Sequence, residues 1–478
     1  MTYSTYCPPS TSTCRANWTT FLLGLLAIDF GYTVFRYGGV LLRDWNVCLM
    51  ALGVMALAYW LGTPRIDHAP RLDPWLRWPL LLFPCYVAFQ LIPLPLSILK
   101  FLSPARVEVL NTLAPVDLGI GSAPLSVIPP ATLPQLMSIA GYVVVFLLVR
   151  EIAWRRSDQP WMPVFPIIII GGLEAALGLL QSALGETGSF AHGTYVNRNH
   201  FAGLLEMTLP FAVIYPVAIL RRRAGRHFTV PLVLKACAVL AVALVIFMGI
   251  ANSLSRMGFA ASLCSIFGMS VLGLGAGLPA RKKCLAISLV GALVLLSFIF
   301  LAPHRLILRF AQLSSSEDRL LMWKETLPLI AAYPLFGCGL GGYESAFHKF
   351  NVSSPNWTVD YAHDDYLQSL AELGVLGFLI AAGLMLAILV KALQATRRNF
   401  GSDAGYLALA CTSAIMAILI HSFVDFNLYV PANALLLAWI SGIAVRVQER
   451  VEPPRRAEHK ERRVQVNLDD SRTVAYRR

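Results

Sequence analysis

The sequence predicts an all-α polytopic membrane protein with about twelve transmembrane helices and one large loop outside the membrane. Only 14% of its 478 residues are charged and 56% are hydrophobic, whereas soluble proteins carry roughly 25% charged residues. Apolar runs recur along the whole chain, each long enough to cross roughly 30 Å of hydrocarbon as a helix. Most Lys and Arg residues stand in short clusters between these runs. Together these observations exclude a soluble protein.

The apolar runs define twelve predicted spans. They cover residues 18–35, 45–62, 78–99, 133–150, 162–184, 201–220, 230–251, 258–279, 284–303, 372–392, 404–422 and 431–446. The chain thereby divides into an N-terminal transmembrane region (1–160), central transmembrane helices (161–303), a large polar loop (304–371), C-terminal transmembrane helices (372–446) and a basic tail (447–478). The polar loop is the longest interruption of the apolar pattern, so we expect the chemistry there.

The basic clusters predict how the spans are oriented. They follow spans two, four, six, eight and ten, and the tail after span twelve is also basic. All of them fall on one side if the spans alternate, and the positive-inside rule makes that side cytoplasmic. We therefore expect both termini in the cytoplasm and the polar loop outside, although Arg36 and Arg43 fit less well. This distribution of the +12 formal charge also argues against nucleic acid as a partner. The clusters are Arg65, Arg71 and Arg77; Arg150, Arg155 and Arg156; Arg221, Arg222, Arg223 and Arg226; Arg281, Lys282 and Lys283; Lys391, Arg397 and Arg398.

The cysteines give no sign of a metal site or a disulfide framework. All nine stand singly, with no pair at metal-ligand or Cys-x-x-Cys spacing. Glu174 and Glu206 fall within or near spans, where a charge is costly unless it faces protein or water. We interpret both as structural, with an arginine as the candidate partner.

Three arginines on the predicted outer face form a candidate anion site. Arg198 lies just before span six, Arg256 lies just before span eight, and Arg319 lies in an amphipathic helix predicted within the polar loop. Helix N-termini favour anions, and guanidinium groups bind phosphate bidentately. The three arginines therefore predict a phosphate or diphosphate ligand.

An alternative interpretation gives these arginines no ligand. Arg198 and Arg256 would extend from helix ends to the membrane interface. Arg319 would pair with its neighbours Glu317 and Asp318.

His363 is the candidate general base. It closes the polar loop, and Asp364 and Asp365 follow it at the capping positions of span ten. A neutral imidazole can accept a proton from an alcohol at neutral pH, and a neighbouring carboxylate would orient the ring. We expect that carboxylate to be Asp364 or Asp365, although a lone His more often has no catalytic role. His421 and Asp425, at the end of span eleven, are interpreted as helix-end capping groups, with support of the site as the alternative.

Five motifs resemble, in the same order, those of the bacterial O-antigen ligase family. The resemblance covers roughly residues 160–445. It implies an enzyme, similar in fold to the C-type glycosyltransferases, that transfers a glycan from an undecaprenyl-type polyprenyl diphosphate to an acceptor hydroxyl at the periplasmic face of the bacterial inner membrane. It implies no metal, nucleotide or other cofactor. The motifs are Asn197-Arg198-Asn199-His200-Phe201-Ala202-Gly203, Ser253-Leu254-Ser255-Arg256, Arg319-Leu320-Leu321-Met322-Trp323, the glycine-rich run from Tyr333 to Tyr343, and His363-Asp364 with Gly374 ten residues after Asp364.

The resemblance also implies roles for individual residues. Arg256 and Arg319 match the family's diphosphate-binding arginines, and His363 matches its catalytic base. The family more often has Asn, Ser or Gln at the position of Asp364, which puts in doubt the hydrogen bonding around the base. The remaining substrate-binding candidates are Arg198, Asn199, His200 and Asp365, with Asp364 as a further member of that group.

The partners implied are the lipid-linked donor, a glycan or lipid A core as acceptor, and membrane lipid. An O-antigen or exopolysaccharide polymerase of the same family is the main alternative. A transporter or flippase of the lipid-linked glycan is a second alternative, and a receptor or assembly factor a third. Transporters often show paired halves with broken helices at the membrane midplane, whereas this chain concentrates its polar residues at one surface.

Overall fold

The computed structural model describes residues 9–63, 69–113, 121–185, 190–223, 227–274, 279–301, 303–311 and 314–449. Arg65, Arg226 and residues 450–478 of the predicted basic tail lie outside the described residues. Within these ranges the protein is a bundle of helices with one pair of two-residue strands.

Seventeen α-helices are numbered in chain order within the described ranges. They are α1 (Pro9–Phe35), α2 (Leu42–Gly62), α3 (Pro74–Phe89), α4 (Leu96–Leu102), α5 (Pro104–Leu113), α6 (Pro129–Arg155), α7 (Phe165–Leu184), α8 (Arg198–Arg221), α9 (Val230–Asn252), α10 (Arg256–Leu274), α11 (Ala280–Leu301), α12 (His304–Ala311), α13 (Ser314–Ala332), α14 (Tyr343–Phe347), α15 (Asp365–Arg398), α16 (Asp403–His421) and α17 (Pro431–Glu449).

The predicted fold class, an all-α polytopic membrane protein, is confirmed. Nine helices in the described ranges are long and apolar enough to cross a membrane: α1, α2, α6, α7, α8, α9, α10, α15 and α16. The other three predicted spans overlap α3, α11 and α17. The predicted span three (78–99) extends too far, because α3 ends at Phe89 and the chain then turns into the short helix α4.

Helix α8 lies at the centre of the bundle. It is the most buried of the candidate spans, with 83% of its apolar window inside the protein. It packs against α9, α10, α16 and α17. Most of its surface therefore faces other helices of the bundle. Because α8 begins at Arg198, its central position brings Arg198, Asn199 and His200 to the middle of one end of the bundle.

The Pro-rich segment before α6 combines short helices with extended chain, since proline interrupts helices. Its strands β1 (Leu94–Pro95) and β2 (Ser122–Ala123) pair antiparallel. The backbone N–H of Val127 donates to the carbonyl of Cys338 at 2.8 Å. This bond ties the segment to the polar loop, which itself contains α12, α13 and α14.

The glycine-rich motif after α13 anchors the start of α15. Gly374 interrupts α15 with a φ of +62°, so residues 365–373 form a separate helical segment. Gly337 also has a positive φ, and a side chain there would collide with the backbone of Glu372. The close approach allows Cys338 N–H to donate to the carbonyl of Ala371 at 2.9 Å. The motif thereby fixes the segment that follows His363.

Candidate functional site

A cavity of about 520 Å³ lies at the end of the bundle where α8 and α10 begin. We call it the arginine cavity, because Arg198, Arg256, Arg309 and Arg319 all line it. Three of these arginines were predicted from the sequence and Arg309 was not. Four guanidinium groups around one space make it strongly attractive to anions.

Arg198 and Arg256 occupy the first positions of their helices, as the sequence predicts. Asn197 caps α8 by accepting the N–H of Asn199 at 2.8 Å. The Arg198 guanidinium lies 5.1 Å from the ring centre of Phe190. Arg256 donates to the carbonyl of Arg309 at 3.2 Å, which joins α10 to α12. Both side chains line the cavity, in the geometry that lets a helix N-terminus and a guanidinium act on the same anion.

Arg319 is fixed by the turn that follows α16. Its Nη1 donates to the carbonyl of Val424 at 2.5 Å, and its Nη2 lies 3.7 Å from Oδ2 of Asp425. The side chain is 27% exposed, so its charge remains available to a ligand. The side chains of Glu317 and Asp318, the alternative partners, lie outside the described residues.

Asp425 lines the arginine cavity and contacts two imidazole rings and one side-chain amide. Its side chain is only 1% exposed. Oδ2 accepts from Nδ2 of Asn199 at 2.5 Å. Oδ1 lies 3.3 Å from Nδ1 of His363 and 3.5 Å from Nε2 of His200. Burial acts to raise the pKa of Asp425, but the nearby imidazoles of His200 and His363 outweigh it and hold this pKa well below its ordinary value. Asp425 is therefore an anion at neutral pH.

His363 contacts Asp425 through Nδ1, so Nε2 lies on the side of the ring away from Asp425. Its side chain is 31% exposed, and its ring packs edge-on against Phe426 at 4.9 Å. The backbone of His363 has a φ of +50°, which is uncommon for a residue other than glycine. Leu254, which lines the arginine cavity, has a φ of +57°. Such conformations cost energy and cluster at functional sites.

The prediction that Asp364 or Asp365 orients the imidazole of His363 was wrong. Asp364 instead caps α15, accepting the N–H groups of Tyr366 and Leu367 at 2.9 Å each. Burial raises the pKa of Asp364. Asp365 is buried and accepts from Oγ of Ser422 at 2.6 Å. Both carboxylates satisfy groups at helix ends, so the imidazole is held by Asp425, 62 residues further along the chain.

Two buried carboxylates also have partners other than those expected. Glu206 lies 3.0 Å from Nδ1 of His421, and both side chains are buried. Glu174 accepts from the backbone and the hydroxyl of Thr194, at 2.6 and 3.0 Å. Neither pairs with an arginine in the contacts described, and Glu174 supports the turn that leads into α8. His421 and Asp425 therefore have different roles: His421 pairs with Glu206, whereas Asp425 contacts His363.

Sequence reasoning missed Arg309 and preferred a capping role for Asp425 over the support of the site that it kept as the alternative. Arg309 follows Arg305 by four residues in α12, and this amphipathic pattern within a polar loop was a usable signal. Asp425 was identified, but as a capping group, because no local pattern reveals which distant ring a carboxylate meets. Within the described ranges, no group of three or more His, Cys, Asp or Glu side chains has the arrangement of a metal site.

One comparison with known proteins bears on this geometry. Residues 239–382 match the family model described as O-antigen ligase. The matched stretch contains Arg256, Arg309, Arg319 and His363, whereas Asp425 lies outside it. No curated protein matches the chain.

Proposed function

Because the protein belongs to the O-antigen ligase family, a role in ligase- or polymerase-type glycan transfer follows, and we propose its chemistry in detail. The protein transfers a glycan from a polyprenyl-diphosphate-linked donor to an acceptor hydroxyl at the periplasmic face of the bacterial inner membrane. Lipid A core is the acceptor of a ligase, and a growing glycan is the acceptor of a polymerase. The observation that carries the proposal is a cavity with four arginines beside a partly exposed His363 that contacts the buried Asp425.

The arginines bind the diphosphate of the donor. A polyprenyl diphosphate leaves as an anion, so a site that catalyses its departure needs positive charge already in place. Arg256 and Arg319 supply bidentate donors from α10 and α13, and Arg309 adds a third cation from α12. Burial lowers the pKa of Arg309, and an anionic ligand would offset that cost.

His363 accepts the proton of the acceptor hydroxyl. Asp425 is an anion and can only accept hydrogen bonds, so we assign the ring proton to Nδ1 of His363. This leaves the lone pair of Nε2 available as the base. When the proton arrives, Asp425 stabilises the resulting imidazolium.

The reaction is a displacement at the anomeric carbon. The acceptor oxygen forms the new glycosidic bond while the bond to the diphosphate oxygen breaks, and the hydroxyl proton passes to His363. The donor supplies the driving force, so we expect neither nucleotide nor metal to be required. The attack inverts the anomeric configuration.

The experiment is transfer by the purified protein, using a lipid-linked donor, a candidate acceptor and a chelator. The expected products are a new glycosidic bond and free polyprenyl diphosphate. Movement of donor between the leaflets of a vesicle without a new bond would instead identify a transporter. Comparing lipid A core with a second lipid-linked glycan as acceptor separates a ligase from a polymerase.

The proposal places the arginine cavity and the polar loop on the periplasmic side of the membrane, which can be tested by labelling. Arg221–Arg223 and Arg397–Arg398 stand at the ends of α8 and α15 away from the arginine cavity, which supports a periplasmic site. Val352 in the polar loop is 79% exposed. We expect Val352→Cys to react with a membrane-impermeant thiol reagent added from the periplasmic side. Labelling only after the inner membrane is opened would contradict this orientation.

A further inference from the structure

A second cavity lies at the opposite end of α8. It has a volume of about 450 Å³, and we call it the far-end cavity. Arg222 stands just beyond the last residue of α8, whereas Arg198 is its first residue. A 24-residue helix is roughly 36 Å long, so the two cavities lie at the two membrane faces. The far-end cavity is lined by Thr20, Arg156, Asp158, Gln159, Pro160, Trp161, Met162, Phe165, Tyr215, Arg222 and Lys235.

Cationic side chains outnumber acidic ones in this lining. Arg156, Arg222 and Lys235 face a single carboxylate, Asp158. Arg222 also forms an ion pair with Asp403 outside the lining. The remaining excess of positive charge favours an anionic ligand.

Aromatic rings hold one of these cations in place. The ammonium of Lys235 lies 5.5 Å from the ring centre of Phe165 and 5.3 Å from that of Tyr215. Trp161 packs edge-on against Tyr215 with ring centres 5.2 Å apart. Such contacts attract the ammonium to the ring faces, so the charge of Lys235 is positioned at the cavity although the side chain is at the surface.

Two buried donors at this cavity lack partners in the part of the chain that the structure describes. Trp161 is 3% exposed, and its Nε1 has no hydrogen-bond partner there. Nε of Arg156 is also buried without a partner, although Nη2 donates to Gln159 at 3.0 Å. A buried Trp N–H normally finds an acceptor, because leaving it unpaired is costly. Both residues line the cavity, so a small rotation of either side chain would bring its N–H to an acceptor oxygen of a ligand bound there.

The surroundings indicate that this ligand carries apolar chains. On α9, Val230, Val233 and Leu234 precede Lys235 and are exposed. Trp161 and Tyr215 are of the types that lie at membrane–water interfaces. Helix α7 also begins at this cavity with Phe165, and its N-terminal dipole favours an anion. A phosphate at the cavity with acyl chains along α9 satisfies all of these features.

We propose that the far-end cavity binds the phosphate group of an anionic phospholipid from the adjacent leaflet. The Nε1 of Trp161 and the Nε of Arg156 donate to phosphate oxygens, and Lys235 contributes charge from the aromatic surface. The bound lipid stabilises the folded protein, since it binds only the assembled bundle. The site is separate from the glycan-transfer chemistry and does not depend on it.

The test is lipid binding by the full-length protein in detergent, measured by native mass spectrometry. Phosphatidylglycerol is titrated against phosphatidylcholine with the same acyl chains. Trp161→Phe keeps the aromatic contact and removes only the N–H, and we expect it to weaken phosphatidylglycerol binding about fivefold. Lys235→Gln should weaken it about tenfold. Lys282→Gln, at the same end of the bundle on α11, is the matched control and should bind as the wild type does.

Three results would overturn the proposal. The first is unchanged phosphatidylglycerol binding in both Trp161→Phe and Lys235→Gln. The second is equal binding of phosphatidylcholine, which would remove the selection for net negative charge. The third is competition by millimolar inorganic phosphate that displaces the lipid completely, which would make the cavity a site for free phosphate.

Discussion

The two ends of α8 each carry a cavity lined by cations, and the two cavities differ in what stands beside the positive charge. In the arginine cavity all four cations are guanidinium groups, and Asp425 holds His363 next to them. The far-end cavity mixes Lys with Arg, places aromatic rings against its Lys, and has no His among the described residues that line it. Positive charge alone is enough to bind a phosphate. Among the described residues, only the arginine cavity has an imidazole held beside it by a carboxylate, and an imidazole can accept a proton near neutral pH.

The strongest test of this difference removes the base. His363→Ala should lower the rate of glycan transfer by roughly 10²- to 10⁴-fold, the usual contribution of a general base. Donor binding should persist, because the arginines are unchanged. Transfer and donor binding are measured separately with the purified protein, and His348→Ala, an exposed His in the same loop, serves as the control. Full turnover by His363→Ala would remove the proposed mechanism.

The next test keeps the imidazole and removes the charge that holds it. Asp425→Asn retains the size of the side chain but no longer stabilises an imidazolium. We expect transfer to fall about 10²-fold, because the ring loses its assigned proton position. A pH–rate profile checks the reason: the variant should recover part of its rate at higher pH, where an external base can help. An unchanged rate and profile would mean that Asp425 only supports the fold.

A third test asks whether charge or shape matters in the arginine cavity. Arg256→Lys and Arg319→Lys keep the charge but lose the planar pair of donors, so each should lower transfer about tenfold. The effect should be larger at limiting donor than at saturating donor. Arg305→Lys, one turn from Arg309 on α12, is the control. Wild-type rates in both Lys variants would favour the interpretation in which these arginines merely reach the membrane interface.

The smallest effect on the transfer rate is expected from substitution of Asp364, the residue that follows His363 in the chain. Asp364→Asn should change transfer by about twofold or less, since Asn caps a helix as well as Asp does. The structure gives the reason, because Asp364 accepts the N–H groups of Tyr366 and Leu367 instead of contacting His363. Initial rates of Asp364→Asn and Asp425→Asn, measured side by side, distinguish capping from positioning. Equal losses in the two variants would contradict this division of roles.

The sequence was sufficient for the features that depend on local composition. A continuous apolar run of about twenty residues spans a membrane as a helix, because its backbone hydrogen bonds are then satisfied within the segment. The fold class, most of the span positions and the helix-start locations of Arg198 and Arg256 follow from that rule, whereas the end of span three does not. His363 was identifiable because it ends a polar loop immediately before such a run.

Only the tertiary structure decided which groups meet. Asp425 and His363 are 62 residues apart, and they come together because α15 starts where α16 ends. Asp364 is adjacent to His363 but is already bound to the first amides of α15. Capping is a local requirement that can be predicted from sequence, yet the carboxylate that remains for the imidazole depends on packing between helices. The sequence therefore determined the helices and the candidate base, whereas the packing of α8, α12, α15 and α16 determined the composition of the site.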